Sequence, residues 1–524
     1  MEKIENSKLP ADLATWHFLS RITFGPRPQD VERTGQIGIK GFMDEQLHPE
    51  RIDDAEVEQR IASLPTLTMS PAELLEDFPA PKQKNPEAKR PGMESQVPVA
   101  PSQNGLTIPA SAGMAPVTEV DGPRRIIMEL GREQLWRATY SRRQLQEVMV
   151  QFWMNHFNIY AGKGVDRWLL TSFEHNAIRP HALGNFSQLL AATAQSPAML
   201  FYLDNWLSVA PNAGPTAKGV RPQAERRGLN ENYARELMEL HTLGVDGGYT
   251  QQDVREVARC LTGWTIDRPR QGGGFIFRPL MHDDGEKTVL GHTIRGSGGV
   301  EDGKQVLQIL AMHPSTAHFI SLKLCRYFVA DDPPDSVVDR TARTFTKSHG
   351  DIRSVLRTIL TSREFNSQAT FRAKVKSPFE LVASSLRTLG AESDGGEPLM
   401  GQIGRMGQPL FQYQAPTGFP DRADHWINSG TLLARMNFSM ALVANRIRGT
   451  QLDLQSLTTS EDPRAIWDQL VQRTLGGIVS DNTRLAAMKN LEESRSAGEA
   501  NPRAFAKTTL MAALLLGSPD FQRR

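Results

Sequence analysis

Two ionisable side chains interrupt the apolar side of a helix that the sequence predicts between Asn230 and Gly244. At about 100° of rotation per residue, Glu236 and His241 both fall among the apolar residues of that helix. A buried carboxylate needs a partner or a raised pKa, and general acids and metal ligands are made in that way. The pattern therefore favours acid–base chemistry at Glu236. A structural buried ion pair explains the same pattern equally well.

The charged side of the same helix carries Glu231, Arg235 and Glu239, and Asn230 stands where an N-cap is expected. Arg235 lies four residues from each glutamate, so the simplest interpretation is an exposed ladder of ion pairs. If this helix borders a pocket, we expect Asn230, Arg235 and Glu239 to bind a polar substrate.

A histidine lies in the middle of a second apolar stretch, Trp153 to Phe157. A lone histidine on an apolar face is most often a core residue that hydrogen-bonds a carbonyl group. The functional alternative is that His156 meets Glu236 or His241 across a helix interface. His156, Glu236 and His241 or His282 would then bind a divalent metal. No recognised ligand spacing is present, and Glu236 and His241 diverge by roughly 140° around their helix.

The segment from His282 to Lys287 combines a histidine, carboxylates and a lysine around a predicted turn. The Asp-Gly pair in its middle suits the turn itself. His282, Asp283 and Lys287 join Glu236 as candidate catalytic groups. A histidine beside a carboxylate can donate a proton, and an ammonium group can bind an anion.

The elements that must position these groups are mostly helices. Apolar residues recur at helical spacing through most of the chain, which predicts a mainly α fold with a large multi-helix body. Two short helices are predicted on either side of Phe24 to Pro26, and Thr250 to Asp253 resembles a reciprocal N-terminal capping box. The one predicted β element is a short hairpin near residues 274–293, in which strand 274–278 pairs with 288–293.

Proline-rich stretches divide the chain into three predicted parts. Residues 1–78 form an N-terminal helical segment, and residues 117–524 form the main helical body with the hairpin inserted in it. Between them, residues 79–116 contain eight prolines, which indicates a linker or a poorly ordered loop. A second loop, at 210–228, is rich in proline, glycine and basic residues, and loops of that length are often active-site covers or disordered insertions.

The overall composition excludes several classes of protein. The 524 residues include 60 basic and 59 acidic side chains, so no net field draws the chain to a nucleic acid. The apolar stretches are too short to span a membrane. Only two cysteines occur, which excludes a disulfide framework and a four-cysteine zinc site. We therefore expect a soluble globular protein.

Well-known catalytic and export signals are missing from the sequence. It contains no G-x-S-x-G, H-E-x-x-H or P-loop pattern and no strand-turn-helix G-x-G-x-x-G. The first ten residues show neither a signal-peptide apolar run nor a twin-arginine pair. These features predict a cytoplasmic protein. The alternative is export in complex with a partner that carries the signal.

Several motifs in a fixed order resemble the bacterial family known as domain of unknown function 1800, and the resemblance covers most of the chain. They include LSRITFGP at 19–26, WMNHF at 153–157, RPHALGNF at 179–186, NENYARELMELHTLG at 230–244, HDDGEKTVLG at 282–291 and FISLKLCRYF at 319–328. The resemblance implies a mostly helical protein without an assigned activity. It also implies a partner, since family genes often lie beside one encoding an alkaline-phosphatase-like protein that frequently bears a twin-arginine signal.

Three functional hypotheses follow. The first is an enzyme, a hydrolase or a lyase, that uses acid–base chemistry on a small glycan-like or anionic molecule, with Glu236 as the acid or base. Arg179 and His181 would help to bind that substrate. The second is a protein that binds a divalent metal through His and Glu ligands, among them His156 and His241. The third is a non-catalytic helical partner, or export companion, of the phosphatase-like protein.

Overall fold

The computed structural model describes residues 8–80, 122–210, 228–496 and 504–524. Those residues form 23 α-helices, several single 3-10 turns and three two-stranded antiparallel sheets. The architecture confirms the prediction of a mainly α fold. The predicted loops at 79–116 and 210–228 lie almost entirely outside the described residues.

The N-terminal third contributes six helices. They are α1 (Ala11–Ile22), α2 (Pro28–Gln46), α3 (Ala55–Ile61), α4 (Pro71–Asp77), α5 (Arg124–Tyr140) and α6 (Gln144–His156). The break between α1 and α2 is where the sequence predicts it. Gly25 is required at this break, because its φ is +116° and a Cβ atom there would lie 2.7 Å from Cβ of Ser384.

The middle of the chain supplies shorter helices. They are α7 (Asp166–Ser172), which continues into a π-helical turn (Phe173–Ile178), then α8 (Phe186–Ala194), α9 (Pro197–Tyr202), α10 (Asn232–Glu239) and α11 (Gln251–Cys260). The capping box predicted before α11 is confirmed. The Thr250 hydroxyl accepts from the Asp253 amide at 3.2 Å, and the Asp253 carboxylate accepts from the Thr250 amide at 2.8 Å.

The strands pair differently from the prediction. They are β1 (Trp264–Ile266), β2 (Phe275–Phe277), β3 (Lys287–Val289), β4 (His292–Ile294), β5 (Glu392–Ser393) and β6 (Thr450–Gln451). The prediction of one hairpin that joins 274–278 to 288–293 is wrong, because β2 pairs with β1 and β3 pairs with β4. Leu290 and Gly291 both have positive φ, at 50° and 78°, and a two-residue turn of that kind closes β3 directly onto β4.

The C-terminal half is again helical. Its helices are α12 (Val300–Met312), α13 (Pro314–Phe328), α14 (Asp335–Lys347), α15 (Ile352–Leu360), α16 (Pro378–Leu389), α17 (Glu397–Arg405), α18 (Ala423–Trp426), α19 (Ser429–Val443), α20 (Pro463–Leu475), α21 (Asp481–Ser496), α22 (Ala504–Gly517) and α23 (Pro519–Gln522). Within the described ranges, no helix is both long enough and apolar enough to cross a membrane.

A large apolar core runs through the described parts of the chain, beside a small second cluster of Leu74, Ile126 and Trp168. Leu19 from α1, Leu237 from α10 and Leu515 from α22 are all fully buried in the large core. Residues 8–78 therefore contribute to the same core as the main body. The core supports the inner faces of α6, α10 and α13, whose other side chains border a cleft.

Candidate functional site

A cleft with a volume of about 370 Å³ opens between α6, the end of α10, α13 and residues 408–426. Its walls are rich in aromatic rings, which are Phe24, Phe152, Phe319, Tyr327, Phe379, Phe411, Phe419 and Trp426. Polar groups converge among these rings, and they include His156, Glu239, Lys323, Arg326, Glu380, Asp421 and Arg422. An apolar cavity with a few convergent polar groups is the usual form of a small-molecule site.

His156, at the end of α6, is held in one tautomer. Its Nε2 lies 3.2 Å from the carbonyl oxygen of His241, which can only accept, so Nε2 carries the proton and donates it. Nδ1 is then an acceptor, and Lys323 Nζ donates to it at 2.9 Å. Burial, followed by the charge of Lys323, lowers the pKa of His156 well below its usual value. His156 is therefore a neutral acceptor at the wall of the cleft.

Lys323 is the unusual cation of the cleft. Burial lowers its pKa to about 8, although the charge of Asp421 opposes that change. Among the described residues, no carboxylate oxygen lies within 4 Å of Nζ. At pH 7 roughly one molecule in ten then carries the neutral amine. A lysine in this state can take up or release a proton at physiological pH.

His241 lies behind His156, where α10 ends in a widened turn. The His241 amide donates to the carbonyl of Glu236, five residues back, at 3.0 Å, and the Leu243 amide repeats this pattern with Met238. The wide turn aims the His241 carbonyl at His156. Burial and the charge of Lys323 lower the pKa of His241 to about 3. Its Nε2 has no hydrogen-bond partner among the described residues.

These contacts combine both interpretations of His156 from the sequence. It is a core histidine that donates to a carbonyl group, and it meets His241 across a helix interface, with ring centroids 6.2 Å apart. With Nε2 donating to His241 and Nδ1 accepting from Lys323, both nitrogens of His156 are engaged.

The other polar groups of α10 divide between the cleft and the surface. Glu239 lines the cleft and accepts from the Tyr249 hydroxyl at 3.1 Å. Arg235 donates to Gln251 at 2.8 Å and lies 3.5 Å from Glu231, which is one rung of the predicted ladder. The N-cap of α10 is Glu231, one residue after the predicted Asn230, and the Asn230 side chain accepts from the Asn232 amide at 2.9 Å.

Glu236 is half-buried one turn away from Glu239, and it does not line the cleft. Burial, and then the charge of Glu239, raises the pKa of its carboxyl. The described residues give that carboxyl no hydrogen-bond or ion-pair partner. A catalytic role for Glu236 stays a prediction.

The predicted catalytic groups of the 282–287 segment lie in a separate, closed cluster. Asp302 joins two of them, since it lies 3.2 Å from His282 and 2.6 Å from Lys287. Lys287 also donates to the Asp283 carbonyl, and the Asp283 carboxylate accepts from Arg259 at 2.8 Å. His282 and Lys287 are buried, and none of the three predicted groups borders the cleft.

Arg179, a predicted substrate-binding group, lies in what we call the buried ion cluster, which comprises Glu133, Arg137, Glu147, Glu174, His175 and Arg179. Arg179 donates to Glu147 at 2.7 Å and to Glu174 at 2.8 Å. His175 lies 2.7 Å from Glu133. His181 follows in a 3-10 turn, partly exposed, and burial lowers its pKa. Neither Arg179 nor His181 lines the cleft.

The ion cluster also holds a set of potential metal ligands. One ligand atom each from Glu133, Glu174 and His175 lie within 4.8 Å of one another. Each already has a protein partner: Glu133 accepts from Arg137 and contacts His175, while Glu174 accepts from Arg179 and Gln134. The existing cations therefore already balance the carboxylates that a metal would need.

Sequence reasoning missed Lys323, although a signal was present. Lys323 interrupts the apolar stretch Phe319 to Phe328, as Glu236 interrupts α10. Phe319, Lys323 and Tyr327 recur every four residues, so they share one face of α13, and all three line the cleft.

Comparisons with known proteins add a family and no activity. A family model described as "Protein of unknown function (DUF1800)" matches residues 17–523, nearly the whole chain. No curated protein matches the sequence, and no solved structure matches it.

Proposed function

We propose that this chain, which belongs to DUF1800, a family of proteins of unknown function, is an enzyme. It acts on a small polar molecule by acid–base chemistry. The reaction takes place in the cleft between α6 and α13. Lys323 gains and loses the proton, and His156 holds the lysine in place.

One observation carries this proposal. Lys323 Nζ donates to His156 Nδ1 at 2.9 Å on the wall of the cleft, with no carboxylate of the described residues within 4 Å. An ammonium paired with a carboxylate keeps its proton, whereas this lysine does not have that support. A base with a pKa near the working pH is the most effective proton acceptor.

The remaining walls suit a substrate with a flat face and polar edges. The rings of Phe319, Phe419 and Trp426 offer packing surfaces. Arg326 and Arg422 lie in the same cleft as the carboxylates of Glu380 and Asp421, and Arg422 is paired with Asp332 at 2.8 Å. Glu239 offers a carboxylate that can return a proton. This combination supports the glycan-like or anionic substrate predicted from the sequence. An amine base favours a lyase over a hydrolase, because it can remove a proton beside a leaving group.

The test measures proton titration and binding on the full-length protein. In NMR spectra of lysine-labelled protein, we expect the Lys323 side chain to titrate near pH 8, apart from the exposed lysines. Monosaccharides, sugar phosphates and small carboxylates are then screened for binding against wild type, Lys323→Met and the exposed control Lys304→Met. We expect binding that Lys323→Met alone weakens. Titration of Lys323 together with Lys304, or equal binding to all three proteins, contradicts the proposal.

A second candidate is the partner role, and an apolar stripe on α19 favours it. Leu432, Leu433, Met436 and Met440 share one face of this helix and are between 42% and 60% exposed. Contiguous exposed apolar side chains on a helix often mark a protein contact. The partner implied by the resemblance is the alkaline-phosphatase-like protein, and export bound to it would place this chain outside the cytoplasm.

Co-expression with that phosphatase-like protein tests the partner role. We expect a complex that survives size-exclusion chromatography and that the double substitution Leu433→Glu, Met436→Glu disrupts. Substitution of the exposed Leu485 with Glu, on α21, is the matched control. Failure to form a complex at micromolar concentrations contradicts this second candidate.

A further inference from the structure

We infer that Lys323 is an amine nucleophile, which forms an imine with the carbonyl carbon of an aldehyde or ketone bound in the cleft. This inference rests on the proposed function, because it uses the same cleft, and it names the substrate class. Nothing in the family description assigns a covalent step to this site.

The first support is the position of the amine. Lys323 is half-buried in the cleft wall, and its Nζ lies 5.6 Å from the centroid of the Phe319 ring. Phe152, Tyr327 and Phe379 line the same space. Apolar surroundings favour the neutral form of an amine, which is its nucleophilic form.

The second support is the orientation that His156 imposes. Because its Nε2 proton is committed to the His241 carbonyl, Nδ1 can only accept. A neutral Lys323 amine donates one N–H to Nδ1, which leaves the nitrogen lone pair and the second N–H for the cleft. His156 is thus a positioning residue that fixes the rotation of the amine.

The chemical step balances without an added reagent. The Nζ lone pair attacks the carbonyl carbon, the C=O π bond breaks, and one nitrogen proton moves to the oxygen to give a carbinolamine. The second nitrogen proton then moves to the hydroxyl group, the C–O bond breaks, and water leaves as the C=N bond forms. Both protons of the neutral amine end in the released water.

The other lysine with a low pKa shows why position matters. Burial lowers the pKa of Lys376 to about 7, and its Nζ lies 3.7 Å from the centroid of the Phe521 ring. Lys376 borders a cavity of only about 20 Å³, which has room for about one water molecule. Lys376 therefore provides an internal control, because it has the chemistry of Lys323 without space for a substrate.

The experiment traps the imine by reduction. Full-length protein is incubated at pH 7 with sodium cyanoborohydride and either 4-carboxybenzaldehyde or glyoxylate, and adducts are located by peptide mass spectrometry. A pKa of about 8 against a usual value near 10.4 gives Lys323 on the order of a hundredfold more neutral amine than a surface lysine. We expect an adduct on Lys323 that forms at least about tenfold faster than adducts on Lys304 or Lys376.

The variants separate nucleophile from positioning residue. Lys323→Met should lose the fast adduct while the slow surface adducts persist. His156→Leu should slow it and shift its pH profile, and His156→Gln, which keeps an acceptor, should restore part of the rate. Each variant is checked for folding by circular dichroism.

Two outcomes overturn the inference. One is labelling of Lys323 at the rate of Lys304 with both probes, and the other is equal labelling of Lys376. If Lys323 still titrates near pH 8 and the cleft still binds small polar molecules, the imine alone is rejected and the acid–base proposal stands. If Lys323 titrates as a surface lysine, both are rejected.

Discussion

Lys323 and His156, which we call the cleft pair, lie in an electrostatic setting opposite to that of the buried ion cluster, although both contain basic side chains. In the cluster, Arg179 and His175 each contact a carboxylate within 2.8 Å. In the cleft, the hydrogen-bond partner that the described residues give the Lys323 amine is the neutral ring of His156. The difference shows that burial of a charge does not identify a functional site. A buried group without a partner is the stronger candidate, because its pKa moves toward neutral pH.

The charged groups of the 282–287 segment are paired with opposite charges, as those of the buried ion cluster are. His282 and Lys287 share Asp302, and Asp283 is paired with Arg259. These contacts stabilise the packing of β3 on α11 and α12. Substitutions in either of these paired sets should therefore destabilise the fold, whereas substitutions of the cleft pair should reduce the proposed reactivity of the cleft.

The largest expected effect is a loss of stability when a cation is removed from the buried ion cluster. Arg179→Met leaves Glu147 and Glu174 buried without their cation, with side chains only 5% and 0% exposed. Removing one partner of a buried ion pair costs about 3–5 kcal/mol, so we expect a loss of that size in the free energy of unfolding in urea. Arg33→Met, which breaks the exposed pair with Glu45, should cost no more than about 1 kcal/mol. Equal losses in the two variants would contradict a special role for the cluster.

The second effect is a loss of stability at acid pH, and it comes from His241, which lies behind His156. The folded pKa of His241 is about 3, below the unfolded value of 6.5, so the unfolded state binds more protons once the pH falls below 6.5. Its contribution to stability is complete above pH 6.5 and is lost as the pH falls toward 3. Between pH 7 and pH 5 we expect a loss of about 2 kcal/mol. His241→Leu should flatten that dependence in urea titrations, whereas the exposed control His318→Asn should not.

The third effect is an increase in the free energy of unfolding, whereas Arg179→Met decreases it. Lys323→Met removes a cation that burial disfavours and that lacks a carboxylate within 4 Å, so the free energy of unfolding at pH 7 should rise by about 1 kcal/mol. Adduct formation at the cleft should be lost in the same variant. A decrease in stability of similar size would show that Lys323 has a structural role.

Sequence patterns predicted the helices well because periodicity and capping are local. The capping box at Thr250 and the break at Gly25 appear where the pattern places them. The strand pairing failed because the turn at Leu290 and Gly291 lacks the usual Asn-Gly signal, although both residues adopt positive φ.

The candidate site was harder to predict, because contacts between side chains that are distant in the sequence form only in the folded chain. The pattern identified His156 and Glu239, which line the cleft, and His241, whose carbonyl holds His156. The contact between His156 and Lys323 joins residues 167 positions apart, and no spacing along the chain reveals it.

The smallest effect is a pH dependence of stability in the buried ion cluster, and its direction should be opposite to that of His241. Burial alone would lower the pKa of His175, but the hydrogen bond and charge of Glu133 outweigh burial and raise it. Its contribution to stability is complete below the unfolded value of 6.5 and is lost as the pH rises through the folded pKa. Because the His175 side chain is 28% exposed, solvent screening should keep this loss below about 1 kcal/mol.

Urea titrations of wild type and His175→Gln at pH 6 and pH 8.5 measure this effect. Wild type should be more stable relative to the variant at pH 6, and the gap should narrow at pH 8.5. A gap that widens with rising pH would mean that His175 is neutral beside Glu133. The cluster would then be less fully compensated than its geometry indicates, and the contrast with the cleft pair would have to rest on Arg179 alone.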